Sequence, residues 1–302
     1  MEHETSTFLS GCAPFYDLLF FSKELDELAI KGAPNSSFFI FDETDSEDCF
    51  RKYDESVGWP AIAMTTIKPE GGTREVIAIG PNGDFWELEP CSTQETVGKI
   101  TGFNGNLRTL SVIDETILAC GMGRVVLQRE SKGQWNSIGP SPLENDPEIV
   151  GFEDIDGYSK AEMYAVGWGG EIWWYDNGIW RQADSPTSVN LTALCCAEDG
   201  TVYVVGHNGI MLQGRHDTWK VIDTERKENL RDVAFYNGEV YVTTDFRILK
   251  VDDEKLVNET AFAETNDIPL TCLHLLTAAD GLISLGTKDV FRLKTGNWER
   301  LV

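Results

Sequence analysis

The sequence predicts an all-β fold: a seven-bladed β-propeller whose blades are four-stranded antiparallel sheets. Three observations carry this. Short alternating apolar strands recur and end at or near a glycine, at Gly32, Gly80, Gly121, Gly167, Gly206 and Gly286, with Thr244 in the same frame. Successive ends are spaced by 48, 41, 46, 39, 38 and 42 residues, the length that a blade of four strands requires. The order of segments is the same in each unit, and a tryptophan marks the last segment in several of them.

Each unit opens on an apolar strand, as in LRTLSVI (107–113), LTALCCA (191–197), LRDVAFY (230–236) and TCLHLLT (271–277). The glycine-ended strand comes next: EVIAIG, TILACG, EMYAVG, TVYVVG, GLISLG, the variant EVYVTT, and a weak copy in DELAIKG. A tight turn leads to the third strand, as in GDFWELE, GRVVLQRE, GEIWWYD and GIMLQGR. The fourth begins near Trp135, Trp180, Trp219 or Trp298, whose large rings are expected to fill the space between neighbouring blades. Asn-Gly in PNGD (81–84) and HNGI (207–210) supplies the positive φ of hairpin turns, and glycine at the strand end allows a sharp turn where a Cβ would clash. The expected organisation is one domain, 1–302, with blades near 16–54, 59–90, 107–139, 149–183, 191–223, 230–258 and 271–302. The last blade looks complete by itself, so it should borrow no strand from the N-terminus. A β-sandwich would not demand a repeat near forty residues.

Charge narrows the function. Against 25 Lys and Arg stand 50 Asp and Glu, a net charge of −25. Such a surface repels nucleic acid and anionic membrane and attracts cationic partners. The charge is spread through loops, with one dense run, DETDSED, at 42–48. Seven cysteines include no CxxC pair; Cys120, Cys195, Cys196 and Cys272 fall in apolar strand patterns and read as buried thiols. With no hydrophobic leader, and with LSGC at 9–12 lacking the basic and apolar stretch of a lipoprotein signal, the expectation is a cytoplasmic, reduced, metal-free protein. The sequons at Asn35, Asn190 and Asn258 carry no weight without secretion.

The unit AVGWGGEIWWYDNGIWRQ (165–182) resembles the WD-repeat-like and BNR-like propellers of bacteria, and the resemblance runs over about residues 16 to 302. It implies architecture more than function, since such scaffolds host many roles. Some propellers of this kind look like immunity partners of secreted effectors, type VI effectors among them. That likeness implies an inhibitor of a basic toxin such as a nuclease, whose cationic cleft an acidic protein can occupy. A scaffold for a protein complex is the alternative, with a glycan-binding or hydrolytic propeller behind it. Asp-boxes (SxDxGxxW) are absent and the sialidase arginine cluster and Tyr–Glu pair cannot be placed, so no glycosidase is implied.

No catalytic, cofactor or metal site is expected. His3, His207, His216 and His274 form no HxH or HxxxH pair. His274 and Cys272 read as one face of an inner strand. GMGRVV (121–126) lacks the third glycine and the helix of a phosphate loop. DIDG (154–157) and DETDSED fail the spacing of a calcium loop and read as solvated acidic loops. The loops remain. Turns between second and third strands share a face with the links between blades, which places Asp84, Met122, Trp168, His207, Phe246, Arg247 and Lys288 together. The links add Glu95, Glu144, Asp146, Glu148, Asp184, Glu225, Glu228, Glu259, Glu264 and Asp267. Of these, Trp168, Glu144, Asp146, Glu148, Asp84, Met122, His207, Phe246 and Arg247 are the expected contacts to a basic protein partner, bound by a chain that is a monomer by itself. Trp168, in GWGG, has two readings: an exposed hot spot beside acidic groups, or a ring packed on Trp173.

Overall fold

The computed structural model describes residues 5–45, 49–90, 94–141, 150–264 and 267–302. Its strands form seven four-stranded sheets, each built from four strands consecutive in the chain and paired antiparallel in chain order. Blade 1 holds β1 (Ser6–Phe15), β2 (Leu18–Leu25), β3 (Ser36–Asp42) and β4 (Phe50–Val57). Blade 2 holds β5 (Ala63–Ile67), β6 (Glu75–Ile79), β7 (Asp84–Glu89) and β8 (Gln94–Lys99). Blade 3 holds β9 (Leu107–Ile113), β10 (Thr116–Gly121), β11 (Val125–Ser131) and β12 (Gln134–Ser137). Blade 4 holds β13 (Phe152–Ser159), β14 (Glu162–Gly167), β15 (Ile172–Asp176) and β16 (Ile179–Gln182). Blade 5 holds β17 (Leu191–Cys196), β18 (Val202–Gly206), β19 (Met211–Arg215) and β20 (Thr218–Ile222). Blade 6 holds β21 (Asp232–Tyr236), β22 (Glu239–Thr243), β23 (Ile248–Asp252) and β24 (Lys255–Asn258), and blade 7 β25 (His274–Ala278), β26 (Gly281–Leu285), β27 (Val290–Lys294) and β28 (Asn297–Arg300). This is the predicted seven-bladed propeller. Two compact bodies divide it: residues 1–99 with 260–302, and residues 100–259.

The apolar runs that reveal the repeat are the second strands. β10 is buried at every residue, because a strand inside a blade with neighbours on both faces has no side for water. The fourth strands are far more exposed, as in β16, where only Trp180 is partly covered. Two of the tryptophans in them, Trp180 and Trp219, turn toward the preceding blade. The Trp180 indole N–H donates to the Ile138 carbonyl at 2.7 Å, and the Trp219 ring meets Tyr164 edge-on at 6.3 Å.

The recurrent glycine has a different cause from a sharp turn. Gly167 has φ −178°, extended backbone open to any residue. Space is what restricts it: a Cβ there would lie 1.9 Å from the Gly151 carbonyl oxygen. At Gly121 and Gly206 the same atom would meet the Asn106 and Asn190 carbonyls, at 2.1 and 2.3 Å. Gly167→Ala therefore forces backbone apart and should cost about 2–3 kcal/mol. An unchanged urea midpoint would refute this reading of the repeat.

Within the first body, blades 1 and 7 are tied without exchange of a strand, as expected for a complete last blade. The Phe8 N–H donates to the Thr287 carbonyl at 2.9 Å. Lys288 Nζ donates to the Ser6 carbonyl, Thr7 Oγ1 and Asp26 Oδ2 at 2.9, 2.8 and 2.6 Å. The Arg292 guanidinium spans Glu43 (2.7 and 2.8 Å) and Glu299 (2.6 Å).

Several expectations change. DELAI is not a strand but a short helix, α1 (Asp26–Ile30), with Asp26 and Glu27 in its first turn, where acidic side chains suit the helix dipole. The second strand of blade 1 lies ahead of it, and β1 starts at Ser6, before the spacing reaches. DIDG is no solvated loop; it lies inside β13. Cys120, Cys195 and Cys272 are buried while Cys196 is half-buried. Cys272 precedes β25 rather than sharing its face with His274. Glu95 sits on β8, not in a link, and accepts the Trp86 indole N–H at 2.7 Å. No helix is long and apolar enough to cross a membrane among the described residues.

Candidate functional site

The turns between second and third strands repeat one geometry. The first residue of the turn donates its N–H across to the start of the third strand: Gly80 to Asp84, Gly167 to Glu171, Gly206 to Ile210, Thr244 to Arg247 and Gly286 to Asp289, at 2.8–3.1 Å. In the body formed by residues 100–259, the following residue is anchored to the root of its own blade. Met122, Trp168 and His207 donate their N–H groups to the carbonyls of Asn106, Gly151 and Asn190 at 2.8, 3.0 and 2.9 Å. The next N–H is held by an asparagine side chain of the following link: Gly169 by Asn190 Oδ1 (2.9 Å) and Asn208 by Asn229 Oδ1 (3.0 Å). Consecutive strands alternate direction, so these turns lie at the same strand ends as the links to the next blade. Blades 3 to 6 thus present Met122, Trp168, His207 and Phe246 in succession on rigidly bonded turns.

These positions differ in what they offer. Phe246 is 66% exposed. Met122 and His207 are half-buried. Trp168 is half-buried too, and its indole N–H donates to Glu153 Oε1, so its orientation is set by that carboxylate. Arg247 lies 3.7 Å from Glu228. In the other body, Asp84 pairs with Lys99 at 3.2 Å, and Lys288 is consumed by the tie to blade 1. Glu144, Asp146 and Glu148 lie outside the described residues, as do positions 46–48 of the acidic run.

Beside Trp168 is an open cleft of about 390 Å³ lined by Gly169, Gly170, Glu171, Gln182, Ala183, Asp184 and Ser185. One of its lining residues, Glu171, belongs to a buried ion pair that sequence reading missed. Arg124 Nε and Nη2 donate to the two Glu171 oxygens at 2.8 and 2.6 Å. The guanidinium lies 5.1 Å from the Trp173 ring centre, and the Trp173 N–H also donates to Glu171, at 3.2 Å. The pair is 4% and 11% exposed. Nothing in GMGRVV signals that its arginine reaches the next blade.

A second unforeseen feature lies on the inner strands. Asp154 and Asp156 of β13 use one oxygen each on the N–H of the next residue, and the other on the free edge of β17, at Leu194 (2.9 Å) and Cys196 (2.8 Å). They therefore satisfy strand-edge donors that a neighbouring strand would otherwise pair. Both are only partly exposed. Desolvation, together with the charge of Asp232 nearby, raises Asp154 well above the usual carboxylate range. Burial pushes Asp156 up to about 6, against the pull of its hydrogen bonds from Cys196 and Gly157. A carboxyl with a raised pKa stabilises the fold fully below its unfolded value and loses that contribution as pH rises through its folded one. From pH 7 to pH 5 Asp156 should add about 1 kcal/mol of stability. The test is thermal unfolding at both values; Asp156→Asn should flatten the difference, and an equal slope in both proteins would refute it.

Among the described residues, no three His, Cys, Asp or Glu side chains come together as a metal ion would need. No family model matches the chain. The immune protein Tsi7 of Pseudomonas aeruginosa is 32% identical over 305 residues, a span that covers 97% of this chain and 96% of that protein. A solved structure described as YCF48 bound to D1 peptide matches with a TM-score of 0.67, covering 96% of this chain and 92% of that one. At 13% identity that likeness speaks to the fold alone.

Proposed function

This chain belongs to the family of the immune protein Tsi7, and from that premise we propose that it is a non-enzymatic immunity protein that binds and neutralises a basic toxin, such as a nuclease effector of type VI secretion, in the cytoplasm. The single observation that carries the reading is near-complete alignment with a protein named for immunity. Two features of the molecule support the finer statement. The net charge of −25 draws cationic proteins and speeds their encounter. The arc of Met122, Trp168, His207 and Phe246 supplies large side chains on hydrogen-bonded turns, the composition of an interface centre. The acidic residues Glu144, Asp146 and Glu148 and the base Arg247 complete the proposed contact surface, and the protein acts on its toxin as a monomer.

The test is capture from native cells. The protein should co-purify with a basic protein whose expression alone arrests growth, and co-expression of this chain should restore growth. A partner that is acidic, or harmless when expressed alone, would transfer the chain to the scaffold role.

A further inference from the structure

Resting on the immunity reading, we infer that the cleft beside Trp168 receives one basic side chain of the toxin, with Asp184 as its counter-ion. The charges around the cleft decide this. Glu171 lines it, but both its oxygens are engaged by Arg124 and one also by Trp173. Arg124 in turn is sealed behind it, 4% exposed, so its positive charge is cancelled locally and does not face the opening. Ser185 Oγ is turned to the Thr187 carbonyl at 3.2 Å. Asp184 is exposed and has no partner among the described residues. The cleft therefore holds one uncompensated carboxylate, with Gln182 as a neutral neighbour.

One wall of the cleft is backbone. Gly169 is bare backbone with nothing within 4 Å of where a Cβ would stand, whereas Gly170 is packed against the Thr187 carbonyl oxygen, 2.2 Å from where its Cβ would lie, at a φ of +77°. Trp168 precedes them with its indole turned to Glu153, so Asp184 is left as the charged group of the lining, and a guanidinium, flat and with its donors in a fork, matches a single carboxylate. A carboxylate ligand would face Asp184 and the field of the whole protein. An apolar ligand would leave Asp184 desolvated without a partner.

The probe is acetyl-arginine amide, titrated into isotope-labelled protein, with acetyl-citrulline amide as the neutral isostere. The expected result is saturable amide shifts centred on Gly169, Gly170, Asp184 and Ser185. Citrulline should bind at least tenfold more weakly, since it lacks the charge that Asp184 recognises. Asp184→Asn should remove most of the arginine response. Glu198→Gln, the same charge change in the turn after β17, should leave it intact. Both positions are exposed, so melting curves should match wild type. Shifts centred elsewhere, or a response equal in Asp184→Asn and wild type, would overturn the inference. Growth protection separates the two readings. If wild type protects against the toxin while Asp184→Asn protects and associates equally well, the cleft inference falls and immunity stands. If arginine fills the cleft but wild type neutralises no toxin, the immunity reading falls instead.

Discussion

Arg124→Ala should lower the stability of the body formed by residues 100–259 by about 3–5 kcal/mol, the range for removing one partner of a buried ion pair. Arg124 stands on the β10–β11 turn at φ +54° and reaches Glu171, at the start of the third strand of blade 4. Its loss would leave Glu171 with one indole N–H as its remaining described partner, in a position 11% exposed. It would also remove the cation from the Trp173 face. The cost arises from the stranded carboxylate more than from lost attraction, which yields a second expectation. In Arg124→Met/Glu171→Leu, which removes both charges, much of the loss should be recovered. Urea unfolding of the three proteins measures this. A loss under about 1 kcal/mol in the single variant would mean the pair is solvated after all. The same variant loosens the turn that carries Trp168, so its effect on partner binding should exceed that of Asp184→Asn.

What the sequence could reveal follows from where its signals are local. A buried second strand must be apolar along its length, and a glycine must follow where a neighbouring carbonyl leaves no room for a Cβ. Both constraints recur in every typical blade, so period and blade order are visible without coordinates. Blade 1 departs from this because α1 takes the place where the others turn tightly. That made DELAIKG look like a degraded strand, although LLFFSKEL, just before it, is the apolar one. Asp154 and Asp156 were hidden for the opposite reason. Alternating acids in an otherwise apolar context look solvated, and only the approach of β17 shows that strand-edge N–H groups occupy them. The site was half legible. Turn positions could be assigned to one end of the blades from strand alternation alone, and Trp168 could be singled out by type. Pairing between distant segments could not, and it decides which charges remain available: Asp84, Arg247 and Lys288 are engaged, whereas Asp184 is not.

That distinction governs the kinetics expected with the toxin. If recognition rests on the field of a −25 chain, the association rate should fall by about 10- to 100-fold between low salt and about 0.5 M salt, because the screening length shortens from tens of ångströms to a few. Dissociation should respond far less, since contacts already formed exclude the ions. Replacing Glu144, Asp146 and Glu148 together by lysine changes the local charge by six and should slow association in the same way. Trp168→Ala should act on the other rate. A buried indole at an interface centre is worth about 2 kcal/mol, roughly a thirtyfold faster dissociation, with association little changed. Part of that cost would come from Glu153, which loses the indole N–H but keeps Arg108 at 3.6 Å. Trp168→Phe separates the contributions, because it retains a ring while giving up the hydrogen bond. Stopped-flow association across a salt series, with dissociation by competition, measures all of these. An association rate indifferent to salt would remove the electrostatic basis for a basic toxin, and a partner held through an apolar surface alone would take its place.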